Sequence, residues 1–203
     1  MIDLSLQQLV LRLIAYVFIA GIHGFALAAT ACALGDPGPR HDGRLRINPL
    51  PHLDVIGTAA GVLFSFGWIR PIAIDPLELR IGRAGLVIVV AAGIAATLLS
   101  AIALRLLRPL LLPLLSDTAS AAAFALIETI GQSSLWFALF NVLPLPPLTG
   151  AHLITAVMPA WRAVIAKWQI YAAVALAVIA ATGAFAIALG PAYRSIAPAI
   201  LGE

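Results

Sequence analysis

The chain has 203 residues, of which 62% are hydrophobic and 10% charged, with a formal net charge of +3. A soluble domain carries about 25% charged residues, so the polar surface needed to cover a water-soluble globule is missing. The composition specifies an all-α integral membrane protein, and the few basic residues sit in short loops, where they report orientation and not nucleic-acid binding.

In chain order, Leu9–Leu34 is the first expected span, with Arg12 near its start able to snorkel to the headgroups. It is too long for a signal-peptide h-region, and the residues before it carry Asp3 and no Lys or Arg. The Ala29-Thr30-Ala31-Cys32 stretch is a poor lipoprotein site without a basic n-region, and Cys32 reads as a small core hydrophobe. Residues 35–84 form a loop region rich in Gly and Pro at its start. Within it Arg44-Leu45-Arg46-Ile47 alternates and predicts a short β-strand. Val55–Ile69 is apolar but only 15 residues long, which favours a re-entrant or interfacial segment over a span.

Leu86–Leu104 is uncharged, and residues 86–107 form the second span, closed by Pro109 and Pro113. Residues 119–145 form the third, broken by Pro144, Pro146 and Pro147. Leu148–Ala166 has the mixed character of an interfacial segment. Trp168–Leu189 is uncharged and is the additional, last span. The expected architecture is one membrane domain over 1–203 with about four transmembrane helices, the re-entrant segment and the short strand. Trp136, Trp161 and Trp168 are candidate interfacial anchors.

The basic residues orient this arrangement. If Val55–Ile69 turns back, then Arg40, Arg44, Arg46, Arg70, Arg80, Arg83, Arg162 and Lys167 share one face, and Arg12, Arg105, Arg108 and Arg194 lie opposite. The bias of eight against four places the 35–84 loop in the cytoplasm and both termini outside it. If the segment crosses, the count is six against six and gives no orientation.

Ionisable groups inside spans are functional candidates. His23 lies eleven residues before Leu34, roughly 16 Å from that helix end at ~1.5 Å per residue. Glu128 is nine residues into its span. The structural alternatives are a histidine bonded to a neighbouring helix, and a Glu128 protonated or bonded to Gln132 one turn away.

Two further stretches carry more information: Gly43-Arg44-Leu45-Arg46-Ile47-Asn48-Pro49-Leu50-Pro51-His52-Leu53-Asp54-Val55-Ile56-Gly57-Thr58, and Phe140-Asn141-Val142-Leu143-Pro144-Leu145-Pro146-Pro147-Leu148-Thr149-Gly150. Both resemble the site-2 protease family of intramembrane zinc metalloproteases, particularly its compact bacterial branch. The order of the His23 helix, Gly35-Asp36-Pro37 and these two motifs also matches, over about residues 15 to 152. The resemblance implies a first helix and a Leu-Asp-Gly end that meet on one side of the membrane. The four-span arrangement satisfies this, because Leu34 and Thr149 emerge on the same face.

In the family, HExxH supplies two histidines on one helix face and a glutamate that acts as general base on zinc-bound water. The Leu-Asp-Gly aspartate is the third ligand, and a fourth position stays open for water. Here the matching stretch is His23-Gly24-Phe25-Ala26-Leu27. The first histidine is kept, Gly24 replaces the base, Leu27 replaces the second ligand, and Thr149 replaces the aspartate. A further Ala-Gly-Pro-x-x-Asn element is reduced to Ala84-Gly85 with Leu86 and Val89. The sequence therefore resembles a pseudoprotease, a degenerate member with no catalytic residues, no zinc and no other cofactor.

The leading expectation is a catalytically inactive membrane protein in the bacterial inner membrane. It serves as a binding, scaffold or accessory subunit for another integral membrane protein or complex, and its other partner is the lipid bilayer. Asn141, His52, Asp54 and Glu128 are the candidate partner-binding residues; the resemblance gives Asn141 the role of positioning a substrate strand. The alternative is an active intramembrane zinc metalloprotease with a rebuilt site, for which His23 and His152 are the candidate ligands with His52 or Asp54. A channel or transporter built on Glu128 and Gln132 ranks below both, because no inverted repeat is present.

Overall fold

The computed structural model describes residues 5–202. The first helix, α1 (Leu6–Leu34), opens with a capping box, Ser5 accepting from the Gln8 amide while the Gln8 side chain accepts from Ser5. It is followed by the single turn α2 (Gly38–His41), the short helix α3 (Val55–Phe64), and the long helices α4 (Ala84–Leu111) and α5 (Asp117–Asn141). The short α6 (Ala151–Val157) leads to α7 (Trp161–Ala181) and α8 (Ala184–Leu201). Among the described residues five helices are long and apolar enough to cross a membrane: α1, α4 with its 3-10 extension to Leu114, α5, α7 and α8. The fold is that of an all-α multi-pass membrane protein.

Three expectations need correction. The last expected span, 168–189, is two helices. The chain breaks at Thr182–Gly183, where Gly183 adopts φ +77°, a conformation open to glycine at little cost. The helix that follows keeps Pro191 and Pro198 in its interior. Likewise α4 continues through Pro109 to Leu111 instead of stopping at 107. Finally, no strand forms at Arg44–Ile47 or elsewhere among the described residues, only an isolated antiparallel bridge between Leu53 and Ile69. The Arg44–Ile47 run is bent, with the Arg46 amide donating to the Arg44 carbonyl at 2.9 Å. It lies across α1, the Ile47 carbonyl close against Gly21, and no neighbouring strand offers a ladder.

The segment from Leu53 to Arg70 returns to its starting point. Ten residues of α3 rise only about 15 Å, half of a bilayer core. Asp54 caps the helix by accepting from the Gly57 amide at 2.7 Å, and Ser65 ends it at φ 70°. The Leu53–Ile69 bridge and the Arg70 amide, which donates to the His52 carbonyl at 2.8 Å, close the excursion. Its inner face packs on α1: a Cβ at Gly61 would lie 2.2 Å from the Tyr16 ring, and the Tyr16 hydroxyl donates to the Ser65 carbonyl at 2.8 Å.

Helix α1 is the hub, packed against α3, α4 and α5. One core joins its residues Tyr16, Ile19 and Leu27 to Ile69, Leu86, Val89 and Phe137. A second joins Trp68, Phe140 and Leu148 to Leu176 of α7, and a third holds α8 on α5 through Leu135, Ala197 and Leu201. The outer faces of α7 and α8 stay apolar and exposed, as lipid-facing surfaces require (Ile170, Val178 and Ile187, for example).

A substitution tests the close packing of α3. Gly61→Val should lower stability in detergent by about 1 to 3 kcal/mol through overpacking against Tyr16, whereas Ala59→Val on the exposed face should leave the thermal midpoint near that of the parent protein.

Candidate functional site

His23 is fully buried at the centre of α1, facing α4 and the end of the 140–150 motif. Both ring nitrogens are bonded: Nδ1 lies 3.0 Å from Thr97 Oγ1 and Nε2 lies 2.9 Å from Thr149 Oγ1. The Thr97 hydroxyl gives its one proton to the Gly93 carbonyl at 2.9 Å. It must therefore accept from His23, which places the ring proton on Nδ1. The lone pair of Nε2 then accepts the Thr149 hydroxyl proton. The edge of the Phe137 ring covers the imidazole, with centroids 4.9 Å apart. Every polar atom of this triad has a partner, as burial demands.

The neighbouring positions close the site. Leu27 is buried against Gly93 and lines a small pocket with Ile72, Leu148, Thr149 and His152. Gly24 faces His52, whose fully buried imidazole stands where a side chain at position 24 would begin. A Cβ there would lie 2.2 Å from His52 Nδ1 and 2.9 Å from its Cβ. His52 Nε2 donates to the Arg46 carbonyl at 3.0 Å, which fixes the ring in place. Burial first, and the nearby Arg44 charge, hold the His52 pKa below its usual value against the opposing pull of the Arg46 carbonyl.

At the positions the motif aligns with metal ligands, His23 Nε2 accepts the Thr149 hydroxyl proton and Leu27 offers no donor; the other imidazoles nearby are His52, against Gly24, and His152, in the pocket beside Thr149. Zinc takes thiolate, imidazole or carboxylate donors. Among the described residues no three His, Cys, Asp or Glu side chains come together.

The other candidates are spread over the molecule. Asp54 is the cap of α3. Asn141 is fully buried, and its Nδ2 donates to the Gly67 and Phe137 carbonyls at 2.8 and 3.0 Å, tying the end of α5 to the returning segment. Glu128 pairs with Arg108 rather than Gln132, and the Arg108 guanidinium also sits 4.9 Å from the Phe124 ring centre. Arg108 is eleven residues beyond Thr97 on α4, roughly 16 Å away, so the ion pair is separate from the His23 centre. His152 lines the pocket beside Leu27 and Thr149 and is bonded to the Ile72 backbone. Burial, then the Arg162 charge, lower its pKa to about 4 against that bond. Sequence reasoning missed Thr97. Its only signal is the Gly93/Thr97 spacing of one helical turn.

Comparison with known proteins gives one curated relative. The chain is 33% identical over 141 residues to the Bacillus subtilis (strain 168) protein named "Putative zinc metalloprotease YwhC", covering 68% of this chain. The chain spans 64% of the length of that relative. No family model matches the sequence. No solved structure matches it. The likeness to YwhC agrees with the metalloprotease resemblance carried by the motifs.

Two outcomes follow from the geometry. Thr149→Val removes the donor to a buried imidazole and should cost about 1 to 3 kcal/mol, measured by thermal unfolding in detergent, with Thr149→Ser largely neutral. His152 has a folded pKa below the unfolded value of 6.5, so folding disfavours its proton. Its contribution is complete above pH 6.5 and is lost as pH falls toward 4, by about 2 to 3 kcal/mol. His152→Gln should flatten that acid limb of stability against pH.

Proposed function

We propose that this chain is a site-2-protease-like protein of the bacterial inner membrane that no longer hydrolyses peptides and instead binds another integral membrane protein as a scaffold or accessory subunit. The observation that carries the reading is the Thr149 hydroxyl on His23 Nε2 at 2.9 Å. The family's first ligand is kept as a structural histidine, and the position of its aspartate ligand now supplies the hydrogen that satisfies it.

The crowding at position 24 supports the same reading: a Cβ there would meet the His52 ring, so no acidic side chain fits where the family carries its glutamate. The exposed apolar faces of α7 and α8 offer area for helix packing in the bilayer. The eight-against-four charge bias favours a cytoplasmic 35–84 region, on the side where the His23 helix ends.

A second reading, hydrolysis at a rebuilt zinc site, has one observation in its favour: His152 shares a pocket with Thr149. Reconstitution with a single-pass model substrate separates the two. Inactivity predicts no cleavage above that of empty vesicles, with added zinc or with chelator. Cleavage abolished both by chelator and by His23→Ala or His152→Ala would establish the second reading. The scaffold role predicts an integral membrane partner at fixed stoichiometry after gentle detergent purification, and a chain that purifies alone contradicts it.

A further inference from the structure

A second concavity lies across a shared wall from the His23 centre. It has a volume of about 270 Å³ and sits between the extended 70–76 run, Leu148, α6 and the first two turns of α7. Its lining divides by chemistry. Ile72, Ile74 and Leu148 are buried and apolar, with Ile165 and Ala166 facing them from α7. Arg70 and Arg162 stand at the exposed side. Arg162 is shared with Asp75 at 3.3 Å. Arg70 has no carboxylate within salt-bridge distance among the described residues, and its carbonyl accepts from a second, buried guanidinium, that of Arg44, at 3.5 Å. His152, neutral near pH 7, adds no charge of its own. The site is therefore an apolar slot with a cationic mouth.

Its depth in the membrane is marked independently. The mouth is at the start of α7, a helix long and apolar enough to span. Trp161 and Trp168 are 47% and 53% exposed on the same turns, as residues of an interfacial belt are. An added peptide strand suits the slot poorly, because Pro71 and Pro76 remove two amide donors from its extended wall. The cavity is far larger than a single water needs and its buried wall is apolar, so part of an acyl chain suits it.

From this juxtaposition of Arg70 and Arg162 with the Ile72, Ile74, Leu148 and Ile165 slot, we infer that the cavity binds one anionic phospholipid, its phosphate on the two guanidiniums and part of one acyl chain inside. The inference does not depend on the loss of hydrolysis at His23. Anionic headgroups of the cytoplasmic leaflet supply the ligand at the level where the mouth opens.

Native mass spectrometry of the full chain in an uncharged detergent tests it, with phosphatidylglycerol and phosphatidylcholine as probes. One phosphatidylglycerol per chain should be retained, at least about tenfold more tightly than phosphatidylcholine. Arg70→Gln with Arg162→Gln should remove that preference. Ala166→Phe, which fills the slot, should weaken retention while leaving both arginines in place. A further arm uses the parent protein and is independent of any effect of the substitutions on folding: excess inorganic phosphate should fail to displace the lipid. Equal retention of the two lipids overturns the inference, as does displacement by free phosphate, which would indicate a simple anion site. A photocrosslinker at Ala73 that captures peptide and not lipid overturns it as well.

Discussion

A neutral imidazole inside an apolar helix bundle needs both a donor and an acceptor within reach, because each unsatisfied nitrogen costs about 1 to 3 kcal/mol. His23 meets that need with two threonines from two other parts of the chain. Thr97 brings in α4 and Thr149 brings in the end of the 140–150 motif, so one ring ties together three segments that are distant in sequence. The Gly93 carbonyl fixes the direction of the chain of hydrogen bonds by taking the Thr97 proton. The rest of the centre is arranged around this network: Leu27 seals one side and the His52 ring fills the space at Gly24.

The same economy explains the returning segment. A chain that enters the apolar layer and leaves on the same side must satisfy its backbone internally. Here Asp54 caps the entry, Tyr16 takes the carbonyl at the tip, and Asn141 binds the Gly67 carbonyl on the way out. His52 and Asp54 are thus placed by the architecture of the loop, His52 by its bond to Arg46 and Asp54 as a helix cap. The extended run beyond Arg70 forms the wall that divides the His23 centre from the cationic-mouthed slot beside α7.

How much of this was legible in the residues follows from which physical signal each feature leaves. The first three long helices announce themselves by apolar length, and Val55–Ile69 by being too short to cross. The turnabout at Gly183 leaves almost no trace, because hydropathy stays high through it, and α8 hides behind two prolines that its surroundings accommodate as interior residues. The Arg44–Ile47 alternation imitates a strand but has no partner strand to pair with. At the site, His23, Gly24, Leu27 and Thr149 were legible only through their motif positions. Thr97 was not, because a threonine in a long apolar helix is ordinary in sequence, and its meaning comes from the ring it faces. Pairing of Glu128 with Arg108 was equally unreadable, since the two lie on different helices.

The central claim is that His23 Nε2 accepts the Thr149 hydroxyl proton. Nitrogen-15 NMR on histidine-labelled protein tests it most directly, and with four histidines in the chain assignment by substitution is practical. The account predicts one protonated and one bare nitrogen for His23, with shifts that do not move when zinc is added in excess. A shift of Nε2 into the metal-bound range at one zinc per chain would contradict it.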